Sequence, residues 1–359
     1  MTIPSSVDTI TSIPCPATEV RFLMPIEWQP LIDILHANKR FVISSHVRPD
    51  ADAIGSEMGL CGILEQLGKE VRIINPSQTP NHLDFLDPTK RIRKIGEGVT
   101  IEQACDTDVH LIVDTSSWQQ LTDLRKTLET TPARKVVIDH HLSSDHLGAE
   151  QFKDTTAAAA GVLICELAMA MKVDPTPEQA TALFAAIATD TGWFRFPNVD
   201  ERTLQTAAWL ISRGAQPSMI YRELYEKSSL ARLKLHGRVL SRITVEFGGV
   251  MGMAYVLQKD FDETGAHPSD TEDLVNECLT IEGTRCAVIL VEQKSAQVKV
   301  SFRSRTGLDV AKVAEQFGGG GHKLASGAML PGPFASAQAT IMKAMQIAIE
   351  EQTSAAPTA

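Results

Sequence analysis

His46, Asp50 and Asp52 fall within the seven residues His46-Val47-Arg48-Pro49-Asp50-Ala51-Asp52. Two carboxylates held about 4 Å apart repel by about 4 kcal/mol at an effective dielectric near 20, and a cation between them reverses the sign. Three other places carry groups of the same kind. Asp114 closes the apolar run Val109-His110-Leu111-Ile112-Val113, Asp139-His140-His141 closes Val136-Val137-Ile138, and Asp190 stands in Thr189-Asp190-Thr191-Gly192, where a helical pattern stops. Converged, they would set His46, Asp50, Asp52, Asp114, His140 and Asp190 around one point. Two divalent cations would balance the four carboxylates. A mixed imidazole and carboxylate set suits Mn²⁺ or a similar first-row ion better than Ca²⁺ or a thiolate-bound Zn²⁺. Two such ions about 3.5–4 Å apart suit phosphoester hydrolysis. Taken singly, each Asp could be a helix cap and the histidines a packed pair; four such sites together favour the cations.

Convergence requires elements that bring distant residues to one edge. Phe41-Val42-Ile43 reads as a buried strand, Ala53 to Leu67 as a helix stopped by Gly68, and Lys69 to Asn75 as the strand that completes a βαβ unit. Val109 to Val113 and Val136 to Ile138 are further buried strands. Helical patterns run over Trp28 to Lys39, Leu121 to Leu128, Thr156 to Met171, Pro177 to Ala188 and Glu201 to Ile211. Strands alternating with helices predict an α/β domain over residues 27–214 with a mostly parallel, doubly wound sheet. All strand carboxyl ends then lie on one edge, where ligands gather. Gly55 and Ser56, at the helix start, are expected to meet a substrate phosphate there.

Past Gly214 the texture changes. Residues 215–243 read as a helical linker, and 244–350 as a smaller α+β domain. That domain opens with a hairpin, Thr244 to Phe247 and Val250 to Val256, turned at Gly248-Gly249. A helix (Glu272 to Cys278), strands over Cys286 to Val291 and Val298 to Phe302, a short helix (Asp309 to Phe317) and a long one (Phe334 to Ile349) follow. Residues 1–26 and 351–359 read as mobile tails.

At 359 residues the chain can bury two cores, and its net charge of −10 argues against a protein that coats long duplex nucleic acid. The six cysteines form no CxxC pair, which suits buried reduced thiols and a cytoplasmic protein. No apolar run is long enough for a membrane span.

His46-Val47-Arg48-Pro49-Asp50-Ala51-Asp52-Ala53-Ile54-Gly55-Ser56, Val113-Asp114-Thr115, Ile138-Asp139-His140-His141 and Thr189-Asp190-Thr191-Gly192 resemble, in order, the four motifs of the DHH phosphoesterases. Ser301-Phe302-Arg303-Ser304 and Phe317-Gly318-Gly319-Gly320-Gly321-His322 resemble the hallmarks of the DHHA1 domain that follows it. The resemblance implies that His46 and Asp50 bind one Mn²⁺, that Asp52, His140 and Asp190 bind the other, and that Asp114 bridges them. It implies that His141 faces the scissile phosphate, stabilising developing charge or protonating the leaving oxygen, while Asp139 orients a histidine. Which of the adjacent histidines ligates rests on the resemblance alone.

Four successive glycines weaken any regular element, but suit a backbone that must approach an anion and offer its N–H groups. Between Cys286 and Leu324 there are six Lys or Arg against three Asp or Glu, so this stretch is basic in an acidic chain. Arg303, Gly318, Gly319, Gly320, Gly321 and His322 are therefore expected to bind substrate, in a cleft with the metals at its other end. The layout resembles the bifunctional oligoribonucleases that also dephosphorylate 3′-phosphoadenosine 5′-phosphate (pAp). The implied substrates are short RNA of about two to five nucleotides, cut to nucleoside 5′-monophosphates, or pAp itself. A soluble phosphodiesterase for cyclic di-AMP or linear dinucleotides is the nearest alternative, and a catalytically silent nucleotide-binding regulator is the non-enzymatic one. A homodimer is compatible with the sequence.

Overall fold

The computed structural model describes residues 25–305 and 307–355; residues 1–24 and 356–359 of the expected tails lie outside them. In chain order, α1 (Gln29–Ala37) leads into β1 (Arg40–Ser44), α2 (Ala51–Gln66) and β2 (Glu70–Asn75). β3 (Ile92–Lys94), α3 (Ile101–Cys105), β4 (Val109–Val113), α4 (Trp118–Leu121) and α5 (Leu124–Thr130) follow. Next come β5 (Arg134–Asp139), β6 (Glu150–Lys153) and the helices α6 (Ala160–Ala170), α7 (Pro177–Asp190), α8 (Glu201–Ser212) and α9 (Pro217–Tyr225).

These six strands form one parallel sheet in the order β3-β2-β1-β4-β5-β6. Helices cover both faces, so the strands are apolar on both sides and β4 is buried along its whole length. Phe41, Ile43, Leu111, Val113 and Ile138 pack against α2, α6 and α7. Val42 and Ile74 turn the other way, towards α3 and α5. The strand order reverses between β1 and β4, and a doubly wound sheet opens its ligand crevice outside the carboxyl ends at that point. The loop carrying His46 leaves β1 there, and Asp114 follows β4.

Three glycines bring the carboxylates of two helices together. A Cβ on Gly55 would lie 2.3 Å from the Ala182 carbonyl oxygen, on Gly59 2.5 Å from the Leu183 side chain, and on Gly62 2.2 Å from Gln179. With no side chains at these positions, α2 and α7 pack closely, and Asp52 at the start of α2 meets Asp190 at the end of α7. The expectation that Gly55 and Ser56 face a phosphate is corrected: Gly55 faces α7, and the buried Ser56 hydroxyl donates to Asp52 Oδ1 at 3.0 Å.

Other departures from the sequence reading have local causes. The helix expected over 121–128 breaks at Thr122, where φ is +35°. The helix expected from Thr156 starts at Ala160, because Asp154 accepts from both the N–H and the hydroxyl of Thr156 and holds a turn. The stretch read as a linker is two helices belonging to two compact units that divide after Glu226. Ile220 of α9 joins the first core, whereas Leu235 and Val239 of α10 (Leu230–Leu240) join a core of the second unit.

After α10 the second unit runs β7 (Thr244–Glu246), β8 (Met251–Val256), α11 (Gln258–Thr264), α12 (Leu274–Leu279), β9 (Cys286–Glu292) and β10 (Gln297–Ser304). α13 (Val310–Glu315), β11 (Gly320–His322), β12 (Ala325–Pro331) and α14 (Phe334–Ala355) complete it. Its sheet has the order β11-β12-β10-β9-β8-β7 and is antiparallel except between β8 and β9. Val298, Val300 and Phe302 alternate inwards against α13 and α14, while α10, α11 and α12 cover part of the opposite face. α14 extends to Ala355, beyond the expected end of the domain.

Candidate metal centre

Asp114 sits at the middle of the convergence. Its φ of +60° belongs to the left-handed region, which Asp tolerates better than most residues, and its N–H donates to the Ile138 carbonyl at 3.0 Å. The buried carboxylate then lies between two imidazoles: Oδ2 is 3.3 Å from His46 Nε2 and Oδ1 is 3.3 Å from His140 Nε2. His46 Nε2 is also 3.9 Å from Asp50 Oδ1. His140 Nε2 is 3.4 Å from Asp190 Oδ2 and 3.7 Å from Asp52 Oδ2. All six expected ligands are thereby brought together, although Asp190 arrives on a helix end and not from a strand.

The hydrogen bonds around each ring fix its tautomer. His140 Nδ1 lies 3.2 Å from the Ala157 carbonyl and His46 Nδ1 lies 3.0 Å from the Val47 carbonyl. A carbonyl only accepts, so both Nδ1 atoms carry a proton and both Nε2 atoms point their remaining site at carboxylate oxygens. Among the described residues, His140 Nε2 and Asp114 Oδ1 are buried with no hydrogen-bond partner. An unprotonated nitrogen facing a carboxylate oxygen is two acceptors in opposition, and either a second proton or a metal cation resolves it. His46, Asp50 and Asp114 form one group of converging donor atoms, and Asp52, His140 and Asp190 form another. The residues therefore fit two cations with Asp114 between them.

The surroundings hold these side chains in place. Asp50 caps α2, its Oδ1 accepting from the N–H groups of Asp52 and Ala53. Asp52 is completely buried, and its two oxygens accept from the first N–H groups of α6, Ala160 at 2.7 Å and Gly161 at 2.9 Å. His141 converges with Asp114 and His140 as a third group, its Nδ1 3.7 Å from Asp114 Oδ1, but that nitrogen is committed to Asp139 Oδ1 at 2.8 Å and half of the side chain is exposed. Asp139 in turn accepts from Ser116 Oγ at 2.6 Å and lies 3.0 Å from Lys153 Nζ. The sequence reading missed Ser116 and Lys153. Ser116 follows Asp114 by two residues, but Lys153 is opposite Asp139 only through the β5–β6 register, and β6 was not expected.

Without metal, protons must do the neutralising. Burial lowers the pKa of His46, but the hydrogen bond and charge of Asp114, with Asp50, outweigh it and push it up to about 9. Burial likewise opposes protonation of His140, yet Asp114, Asp52 and Asp190 push it up to about 10. Burial and the neighbouring acids raise Asp52 to about 7 and Asp190 to about 9. Each of these groups binds its proton more tightly folded than unfolded. The stability they contribute is fully present below the unfolded values and is lost as pH rises through the folded ones. The melting temperature of chelated protein is therefore expected to fall between about pH 6.5 and pH 9. A saturating divalent cation should restore it by an increment that grows with pH, because the metal replaces those protons. A chelated protein whose melting temperature is flat or rises across that window would contradict the geometry.

In the second unit, Arg303 points from β10 into a cavity of about 200 Å³ lined also by Thr271, Glu272, Asp273, Lys299 and Ser301. The glycine tract is partly structural, which corrects the expectation that all four offer N–H groups to a ligand. Gly318 N–H donates to Glu315 and Gly319 N–H to Ala314. A Cβ on Gly319 would lie 2.2 Å from the Gly327 carbonyl oxygen, and one on Gly321 2.6 Å from that of Ala325, so close approach to β12 requires both. Gly320 alone of the four faces open space without a left-handed φ. The β10-β12-β11 register sets Arg303, Ala325 and His322 in one row and Ser301, Gly327 and Gly320 in the next row but one.

Residues 40–188 match the family model described as the DHH family, N-terminal domain, and residues 250–351 match the DHHA1 domain. The chain is 30% identical over 303 residues to the bifunctional oligoribonuclease and PAP phosphatase NrnA of Bacillus subtilis, spanning 84% of this chain and 92% of that one. It is 24% identical to the cyclic-di-AMP phosphodiesterase PdeA of Listeria monocytogenes, over 82% of this chain but 45% of that protein. Among solved structures, an exopolyphosphatase-related protein from Bacteroides fragilis superposes with a TM-score of 0.81 at 26% identity, covering 90% of this chain and 95% of that one.

Proposed function

This chain belongs to the DHH family of phosphoesterases and carries a DHHA1 domain, and from that membership we propose that it hydrolyses short oligoribonucleotides to nucleoside 5′-monophosphates and pAp to AMP. The observation that carries the reading is the shared carboxylate: Asp114 lies between two imidazole-carboxylate groups whose facing atoms are all acceptors. His46, Asp50 and Asp114 would hold one divalent cation, Mn²⁺ first among candidates, and Asp52, His140 and Asp190 with Asp114 the other. Bound there, such a pair lowers the pKa of water and neutralises phosphoryl oxygens. The chain's own residues supply the rest. His141, with Nδ1 bound to Asp139, turns Nε2 outwards to deliver a proton to the leaving oxygen. The Asp139 hydrogen bond, against burial, raises the His141 pKa and so favours the protonated form an acid needs. Burial would raise Asp139, but His141, Ser116 and Lys153 hold it well below the usual carboxylate range, so it stays ionised to orient the ring.

In the second unit, Arg303 is the cation to contact a substrate phosphate, and Gly320 with Gly327 leaves a flat strand surface that a nucleotide can approach. His322 is proposed as a further contact. Arg303→Ala is expected to raise KM for a dinucleotide about tenfold to a hundredfold, the range for losing a charge-assisted hydrogen bond, with metal content unchanged. An unaltered KM would remove this role.

The cyclic-dinucleotide alternative keeps support from PdeA, but the alignment spans less than half of that protein and nearly all of the oligoribonuclease. The silent regulator is disfavoured because every expected ligand is present. Turnover of diadenylate, pAp and cyclic di-AMP in Mn²⁺ separates the three. The proposal expects the first two to exceed the third. The reverse order favours the cyclic-dinucleotide reading, and tight binding without hydrolysis favours the regulator.

A further inference from the structure

The turn that follows Asp190 is strained, closed on itself and unused by the mechanism above. Gly192, Trp193 and Phe194 take φ values of +55°, +60° and +61° in succession. Two bulky aromatic residues in the left-handed region are outliers that persist only when their surroundings over-determine them, and such strain gathers at functional sites. The over-determination is visible. Fully buried Thr191 accepts from Arg195 N–H at 2.9 Å and Phe196 N–H at 3.0 Å on its carbonyl, and from Phe194 N–H at 3.1 Å on its hydroxyl. Asn198 Nδ2 then returns to the Asp190 carbonyl at 3.2 Å, so the turn closes beside the candidate ligand itself.

The side chains divide into two that anchor and two that are presented. Trp193 packs edge-on against Phe184 and Tyr221, and Phe194 against Phe184. Arg195 and Phe196 are left outside. Arg195 Nε donates to the Gly192 carbonyl at 2.8 Å, and among the described residues its guanidinium has no carboxylate partner. The Phe196 ring lies on Gly192, where a Cβ would come within 2.4 Å of it, and Phe196 remains 49% exposed. A guanidinium and an aromatic face, adjacent in sequence and fixed next to a metal-site carboxylate, match a phosphate and a base in one nucleotide unit. Two residues span at most about 7 Å, which keeps Gly192, and the ring resting on it, within nucleotide reach of Asp190.

We infer that this turn is a nucleotide subsite on the DHH domain, in which Phe196 stacks the nucleobase next to the scissile phosphate and Arg195 engages a neighbouring phosphate. It rests on the phosphoesterase reading and extends it to base recognition by the metal-bearing unit. The test compares wild type, Phe196→Leu and Arg195→Gln on 5′-phosphorylated diadenylate, which carries a phosphate beside the scissile one, and on the same dinucleotide lacking the base on one or the other side. Leucine keeps the apolar contact with Gly192 while removing the ring. The expected result for Phe196→Leu is a KM about tenfold to a hundredfold higher on the phosphorylated diadenylate, with no change on one of the two abasic compounds and with metal content retained. Arg195→Gln should raise KM on all three. Equal effects of Phe196→Leu on all three compounds, or no effect on any, would overturn the subsite while leaving the phosphoesterase reading intact. A wild-type protein that hydrolyses none of them would overturn both.

Discussion

Asp114→Asn is expected to lower turnover of diadenylate by more than about a thousandfold and to empty both cation positions, whereas Asp50→Asn keeps measurable activity. Asparagine suits both positions structurally. It tolerates the left-handed φ of residue 114 as aspartate does, and at residue 50 it still caps α2. What it removes is one negative charge. At residue 114 that charge faces His46 and His140 at once, each at 3.3 Å, so its loss weakens both groups of ligands. Asp50 belongs to one group only. Water activation and phosphate neutralisation then fail together at Asp114, and electrostatic contributions of this kind amount to about 10²–10³ each. Equal partial activity in the two variants, with equal metal content, would contradict a bridging carboxylate.

The second large effect falls on His141. His141→Gln is expected to reduce kcat by about 10²–10⁴, the range for a lost general acid, without loss of metal. Its Nδ1 is spent on Asp139, which leaves Nε2 for the substrate, and half of the side chain is exposed. A good leaving group needs little protonation. The loss on a nucleoside 5′-p-nitrophenyl phosphate should therefore be much smaller than on diadenylate. Equal losses on both esters would assign His141 to charge stabilisation, and no loss on either would remove it from the mechanism.

Most of the candidate metal centre was legible because parallel strands impose its geometry. Once Phe41-Val42-Ile43, Val109 to Val113 and Val136 to Ile138 are read as parallel strands, the residues after them must share an edge. Asp190 was found by residue type, although its placement depends on a helix packing that the strand argument does not contain. The glycines of α2 show why. Gly55, Gly59 and Gly62 face α7, and the contact that explains them lies more than a hundred residues away in the chain. Short polar strands were equally opaque. Glu150–Lys153 carries no run of β-branched residues, so β6 went unseen, and with it the lysine opposite Asp139. In the glycine tract, composition pointed to a ligand, but Gly319 and Gly321 are glycine because β12 passes too close for a side chain.

The proposed hydrolysis depends on two cations sharing Asp114, and counting them tests it most directly. Chelated wild-type protein is titrated with Mn²⁺, the bound metal per chain is measured after dialysis, and diadenylate hydrolysis is followed at each step. Two cations per chain are predicted, with turnover appearing only as the second is bound. Full activity at one cation per chain, or in the chelated protein, would contradict it.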